Sequence, residues 1–230
     1  MLIHGLQKMT LLDFPGKVAC TVFLGGCDFR CPFCHNAEII CGEAKPLMDD
    51  AEFLAFLGKR RGLLDGVCIT GGEPLLRDET AIFMRAIRDM GFMVKLDTNG
   101  SHPARLASIL EEGLADYVAM DIKNTPERYA ETAGAPNLDL GAIRESVALL
   151  MGGKSAYEFR TTVVKEFHDE ASFHGIARWI AGAKRYFLQS FVDRETVKFG
   201  NLHAPSAEDL KRYLAIARET IPGAAIRGEA

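Results

Sequence analysis

Val18-Ala19-Cys20-Thr21-Val22-Phe23-Leu24 is an apolar run that breaks at Gly25-Gly26 and delivers three cysteines into one loop, Cys27-Asp28-Phe29-Arg30-Cys31-Pro32-Phe33-Cys34-His35-Asn36. The run is rich in residues that favour a strand and ends where two glycines allow a tight turn. Thiols spaced x3 and x2 can converge on one metal centre, and thiolates are the protein ligands of iron–sulfur clusters. An electron-transfer [4Fe–4S] site normally takes four cysteines, so three would leave one iron open to an outside ligand. Zinc is the alternative, with His35 as a fourth ligand. Adjacent residues rarely both reach one tetrahedral ion, however, and no second Cys or His pair stands at a distance. Cys20 and Cys68 fall inside apolar runs and read as small core residues, whereas Cys41 lies in no motif.

Outward from this loop, short apolar runs alternate with segments of helical pattern. Strands are expected at 18–24, 66–70, 92–97, 117–122, 157–164 and 185–191. Helices are expected at 49–62, 77–90, 103–112, 140–151, 170–181 and 207–219. Asp49 or Asp50 and Ser206 are positioned as caps, and Gly91 and Gly113 as stops. Six strands alternating with helices imply right-handed βαβ units, hence an α/β fold with a parallel sheet. The alternation alone does not separate an open sheet from a barrel. A complete eight-unit barrel takes about 250 residues. A chain of 230 residues therefore suits a partial (β/α)6 TIM-like barrel, a single domain over 1–230 with a core at about 17–192 and a C-terminal helical extension at about 193–230.

Ligands of either architecture sit at the C-terminal ends of the strands, and several polar groups fall there. Gly71-Gly72-Glu73-Pro74 follows the second run, where glycine lets the backbone approach a ligand and a carboxylate can accept from an ammonium. Asp97-Thr98-Asn99-Gly100 closes the third run and Asp121-Ile122-Lys123 the fourth; Asp121 and Lys123, two apart, share a face. Arg160 is a charge within an apolar run. Taken singly, each has a plainer reading as a turn, a cap, a surface ion pair or an outward-facing charge.

The Cys27-x3-Cys31-x2-Cys34 pattern, with Phe33 before the third cysteine, resembles the signature of the radical S-adenosylmethionine (SAM) superfamily. Leu12-Asp13-Phe14-Pro15-Gly16 and Cys34-His35-Asn36 are similar to segments of its glycyl-radical-enzyme activating family, in particular the branch serving anaerobic ribonucleotide reductases. The resemblance runs from about Leu12 to Phe191. It implies a barrel of the radical SAM type, and one [4Fe–4S] cluster on Cys27, Cys31 and Cys34 whose open iron is chelated by SAM. It implies SAM contacts from Phe33, Gly72, Glu73, Asp97, Asp121, Lys123 and Arg160, with Glu73 near the amino group and Arg160 near the carboxylate. It also leaves room for a cation at Asp97 and Asp121. The implied chemistry is one-electron cleavage of SAM to methionine and a 5′-deoxyadenosyl radical that takes a hydrogen atom from a glycine Cα of a partner enzyme. A reduced flavodoxin or ferredoxin is the implied electron donor. One departure is Ser190-Phe191, where activators of pyruvate formate-lyase end the sixth strand in Tyr-His. The two cysteines between Cys34 and Gly71 also fall short of the two four-cysteine groups of a ferredoxin-like insert.

Bulk composition agrees with a soluble enzyme that binds neither nucleic acid nor membrane. The chain is 48% hydrophobic and 25% charged, with a formal net charge of −4. No basic patch points to nucleic acid, no apolar run reaches the ~18 residues of a membrane span, and the N-terminus has no signal-peptide pattern. A cytoplasmic location is expected, where six cysteines would be reduced.

Overall fold

The computed structural model describes residues 1–228. Its strands are β1 (Leu2–Thr10), β2 (Ala19–Leu24), β3 (Met48–Asp49), β4 (Gly66–Gly71), β5 (Met93–Thr98), β6 (Tyr117–Asp121), β7 (Ala156–Val163), β8 (Tyr186–Ser190) and β9 (Ala224–Ile226). They form one sheet in the order β3-β1-β2-β4-β5-β6-β7-β8-β9. From β2 through β9 every pairing is parallel, while β1 runs antiparallel to both its neighbours. The six expected strands are β2, β4, β5, β6, β7 and β8, in sequence order across the sheet. This is the open, partial barrel expected of six βα units.

The helices are α1 (Ala37–Ile40), α2 (Asp50–Gly58), α3 (Glu79–Asp89), α4 (Pro103–Glu111), α5 (Tyr129–Thr132), α6 (Leu140–Met151), α7 (Glu170–Trp179) and α8 (Ala207–Arg218). Asp49 caps α2 through a reciprocal box with Glu52, and Ser206 caps α8 through one with Asp209. Each box satisfies donors that the first helical turn leaves free. The helices cover the convex face, where alternate strand residues such as Val22, Ile69, Leu96, Val118, Phe159 and Leu188 build the main core.

Three strands lie outside the six-strand expectation. In β1 the polar residues His4, Gln7 and Lys8 interrupt the apolar pattern, because much of the strand lies half-exposed outside the parallel core. Strands β3 and β9 have two and three residues, too few to show a period. The extension expected at about 193–230 is therefore not purely helical: after α8 the chain returns to the sheet as β9. Its last two residues lie outside the described ones. No helix among the described residues is long and apolar enough to cross a membrane.

The opposite period of each strand faces the concave side, and there the wall is polar. Lys95, Asp97, Asp121, Arg160 and Thr162 point to it, each directly next in sequence to a core position. Phe14, with Ala19, Cys68 and Tyr117, forms a separate apolar cluster, joined at its margin by Met93 from the start of β5.

Candidate cluster and SAM site

An open cleft of about 800 Å³, its mouth included, lies at the C-terminal ends of the parallel strands. Cys27, Cys31 and Cys34 line one side; Gly72, Asp97, Asp121, Lys123 and Arg160 line the other. Residues up to 133 positions apart in sequence thus meet because the βα repeat returns every strand end to one rim.

The cysteine loop is braced against the following βα turn. The Gly72 N–H donates to the Leu24 carbonyl (2.8 Å) and the Glu73 N–H to the Gly26 carbonyl (2.9 Å). A Cβ at Gly72 would stand 1.8 Å from the Gly26 oxygen, so only glycine fits this crossing. The Asn36 amide adds a bond to the Gly71 carbonyl (2.8 Å). The turn expected to approach a ligand therefore first approaches the cysteine loop.

None of the six cysteines forms a disulfide. Burial pushes the thiols of Cys27 and Cys31 up, to about 12 and about 11, and raises Cys34 as well. Buried thiolates need a compensating cation, which iron supplies. The Cys27 sulfur accepts from the Phe29 N–H (3.3 Å) and faces the Asn99 amide at 3.7 Å, donors that suit a thiolate ligand. Cys20 and Cys68 are buried in β2 and β4, and Cys41 is exposed at the end of α1.

His35 is engaged elsewhere. Its Nε2 lies 2.7 Å from the Val192 carbonyl, and its ring stacks on Phe191 at 5.7 Å. Among the described residues, no three His, Cys, Asp or Glu side chains are grouped to hold a single metal ion. Tetrahedral zinc would draw its sulfurs to within about 3.8 Å of one another, whereas a cubane cluster gives each thiolate its own iron. The three thiols fit the cluster, and His35, held at the Val192 carbonyl, is not placed as a fourth ligand for zinc. Phe33 is buried against Phe167 (ring centroids 5.9 Å apart), Val164 and Phe191, forming an apolar flank beside the thiols.

Opposite the thiols stands a chain of alternating charges. Arg160 donates through Nη1 to Asp97 (2.9 Å) and through Nε to Asp121 (2.5 Å). Lys123 donates to the second oxygen of Asp121 (2.8 Å), and Lys95 to the second oxygen of Asp97. Asp121 and Arg160 are direct register partners across β6 and β7. Burial alone would raise both carboxyls, but Arg160, with Lys95 at Asp97 and Lys123 at Asp121, holds them below the ordinary carboxylate range. Burial likewise works against Lys123, yet Asp121 keeps it firmly protonated.

Glu73 departs from the contact expected of it. It is 1% exposed and does not line the cleft. Its carboxylate accepts from the N–H groups of Leu75 (2.9 Å) and Asn99 (2.6 Å) and from the Thr98 hydroxyl (2.8 Å). It ties the turn after β4 to the end of β5. Burial pushes its carboxyl up to about 7, against the pull of those donors.

Two residues of the site were not anticipated. Lys95 sits in Met93-Val94-Lys95-Leu96-Asp97, where period-two spacing from Asp97 was the available signal. Asn99 donates to Asp28 (2.9 Å) as well as facing Cys27; nothing local distinguishes it from a turn residue.

Residues 21–173 match the model of the Radical SAM superfamily. The chain belongs to this superfamily. Its cofactors are accordingly a [4Fe–4S] cluster and SAM. A protein from Methanocaldococcus jannaschii, provisionally named a glycyl-radical enzyme activating enzyme, is 29% identical over 98% of this chain and 95% of its own length. The pyruvate formate-lyase-activating enzyme of Clostridium pasteurianum is 31% identical over 54% of this chain and 53% of its own; against that relative the chain spans about half the length. Among solved structures, a domain of the pyruvate-formate lyase-activating enzyme of Bacteroides vulgatus superposes with a TM-score of 0.59 at 19% identity. That match covers 71% of this chain and 99% of the domain. SuiB of Streptococcus suis bound to S-adenosylmethionine gives 0.66 at 13% identity, over 90% of this chain and 52% of SuiB. These structures share the radical SAM fold.

Proposed function

We propose that this chain activates a glycyl radical enzyme. The observation that carries the reading is the near full-length match to the Methanocaldococcus jannaschii protein, supported by the partial matches to pyruvate formate-lyase-activating enzymes. Cys27, Cys31 and Cys34 hold the cluster, and Phe33 flanks it. Arg160 and Lys123 orient the SAM carboxylate, with Asp97 and Asp121 fixing both cations. The backbone around Gly72 meets the amino group, and Glu73 acts indirectly by holding the Leu75 and Asn99 backbone in place. A reduced cluster held by these three thiols would supply one electron to the sulfonium of SAM, so that the S–C5′ bond breaks, methionine is released and the 5′-deoxyadenosyl group leaves with the substrate hydrogen atom as 5′-deoxyadenosine. The polar wall keeps the methionyl end of SAM in one orientation, which is the positioning such a transfer needs.

The substrate of this reading is a backbone glycine of a large partner, for which an anaerobic ribonucleotide reductase is the favoured identity. It rests on Asp13-Phe14-Pro15-Gly16 and Cys34-His35-Asn36, and on the open mouth of the cleft. A docked partner covering that mouth would exclude water from the reactive centre. Reduced flavodoxin or ferredoxin is the proposed donor, and the cytoplasm the proposed location.

The test is electron paramagnetic resonance. Cluster-loaded, reduced protein mixed with SAM and the anaerobic ribonucleotide reductase of the same organism should yield a glycyl radical doublet and about one 5′-deoxyadenosine per radical. A doublet on another glycyl radical enzyme alone would move the target within the same class. Rapid SAM turnover with a small metabolite, and no protein radical, would reject the reading.

A further inference from the structure

Lys95 is the residue of the charge chain whose presence needs a separate explanation. It lies mid-strand in β5, is 2% exposed, and does not itself line the cleft. Its register partner on β4 is Cys68, and on β6 it is Tyr117. An apolar side chain of similar length would fill this place without desolvating an ammonium, and replacing buried charges by apolar groups is often neutral or stabilising. Packing therefore does not account for a lysine here.

Its electrostatic place does. Asp97 and Asp121 end neighbouring strands on one wall, and each of their four carboxylate oxygens has a cation of the chain as partner. Lys95 takes one Asp97 oxygen and Arg160 the other; Arg160 and Lys123 take those of Asp121. With Lys95 in place, Asp97 has no oxygen without a cationic partner. Arg160 is then held by two carboxylates through Nε and Nη1, and its Nη2 has no hydrogen-bond partner among the described residues. Three cations against two anions leave this wall with one net positive charge, suited to a ligand carboxylate.

We propose that Lys95 is a positioning residue, a built-in counter-ion to Asp97 that lets the cleft bind SAM without an alkali-metal cation. The proposal rests on the reading that SAM lies against Asp97, Arg160, Asp121 and Lys123. Lys95 acts through Asp97: it fixes that carboxylate, which fixes Arg160, which meets the ligand. Without it, one Asp97 oxygen faces the wall unneutralised, and potassium or sodium can take the vacated position.

The test measures SAM binding to cluster-loaded protein by anaerobic equilibrium dialysis, in choline chloride and in potassium chloride at equal ionic strength. Wild type should bind SAM equally in both, within about twofold. Lys95→Met should bind roughly tenfold more weakly in choline, the loss of one charge-assisted partner, and regain affinity in potassium. Lys95→Arg should stay near wild type in both salts. Iron content and unfolding temperature check that each variant is folded and loaded. Wild-type affinity that rises tenfold or more on adding potassium overturns the proposal, whether or not Lys95→Met folds. So does a Lys95→Met protein that binds like wild type in choline, or one that stays weak in potassium. Failure of wild type to bind SAM in either salt would instead remove the SAM reading of the cleft.

Discussion

At the residue scale, the separation between ligating and structural cysteines is the sharpest expectation. Cys27, Cys31 and Cys34 line the cleft, while Cys20 and Cys68 are buried in strands and Cys41 does not line it. Anaerobic reconstitution should give about four irons and four sulfides per chain. Single Cys→Ala changes at 27, 31 or 34 should abolish this, and those at 20, 41 or 68 should not; iron and sulfide analysis decides. Glu73→Ala removes an acceptor shared by three donors and should weaken SAM binding by about 1–3 kcal/mol, with cluster content retained. An unchanged SAM affinity would mean that the turn after β4 does not shape the site. Glu73 also carries a pH signature in cluster-free protein. Its carboxyl is raised from an ordinary 4.5 to about 7 by burial, so between those values the folded state binds the proton that the unfolded state has lost. Stability contributed by this group therefore falls as pH rises through that window and levels off above it. Urea unfolding of wild type against Glu73→Gln, from pH 5 to 8, should show wild type losing ground as pH rises.

At the element scale, the site depends on two loops held in contact. The loop after β2 carries the thiols, and the turn after β4 crosses it so closely that a Gly72 Cβ would overlap the Gly26 carbonyl. Gly72→Ala must push the loops apart. We expect a loss of several kcal/mol, beyond the 1–3 kcal/mol of ordinary overpacking, together with loss of most bound iron. A Gly72→Ala protein with full iron content would show that the loops are not so constrained. Gly-Gly-Glu-Pro was legible as a turn beside a ligand; that its first partner is the other loop was not. Such a crossing pairs residues about 46 positions apart, and no local pattern encodes it. The same holds for Glu73, whose sequence neighbours do not reveal that the end of β5 supplies two of its donors.

At the scale of the whole molecule, the last strand fastens the C-terminal segment to the barrel. Strand β9 pairs with β8, and Arg227 just beyond it reaches Glu158, a carboxylate 1% exposed that also accepts from Tyr117 (2.7 Å). Arg227→Ala would leave that carboxylate buried with one neutral partner. Loss of a buried pair's partner costs about 3–5 kcal/mol, and the half-exposed arginine reduces this to about 1–3 kcal/mol. For a domain of this size, each kcal/mol lowers the unfolding temperature by about 2–4 °C. Calorimetry should therefore show a drop of several degrees, with iron content unchanged because Glu158 lies away from the cleft. No change in unfolding temperature would make β9 an ornament of the fold.

The sequence by itself determined the six parallel strands, the alternating helices and the three-thiol loop. Hydrophobic periodicity and short-range spacing are local properties, and βαβ handedness turns them into a rim where strand ends must meet. It also placed Asp97, Asp121, Lys123 and Arg160 on that rim. The tertiary structure alone decided the three additional strands, because β1 is half-polar and β3 and β9 are too short to carry a period. It decided that His35 turns to Val192, that Glu73 serves the backbone, and that Lys95 completes the charge chain. Each of those outcomes depends on which partner a polar group meets across the fold, and a buried polar group takes its meaning from that partner.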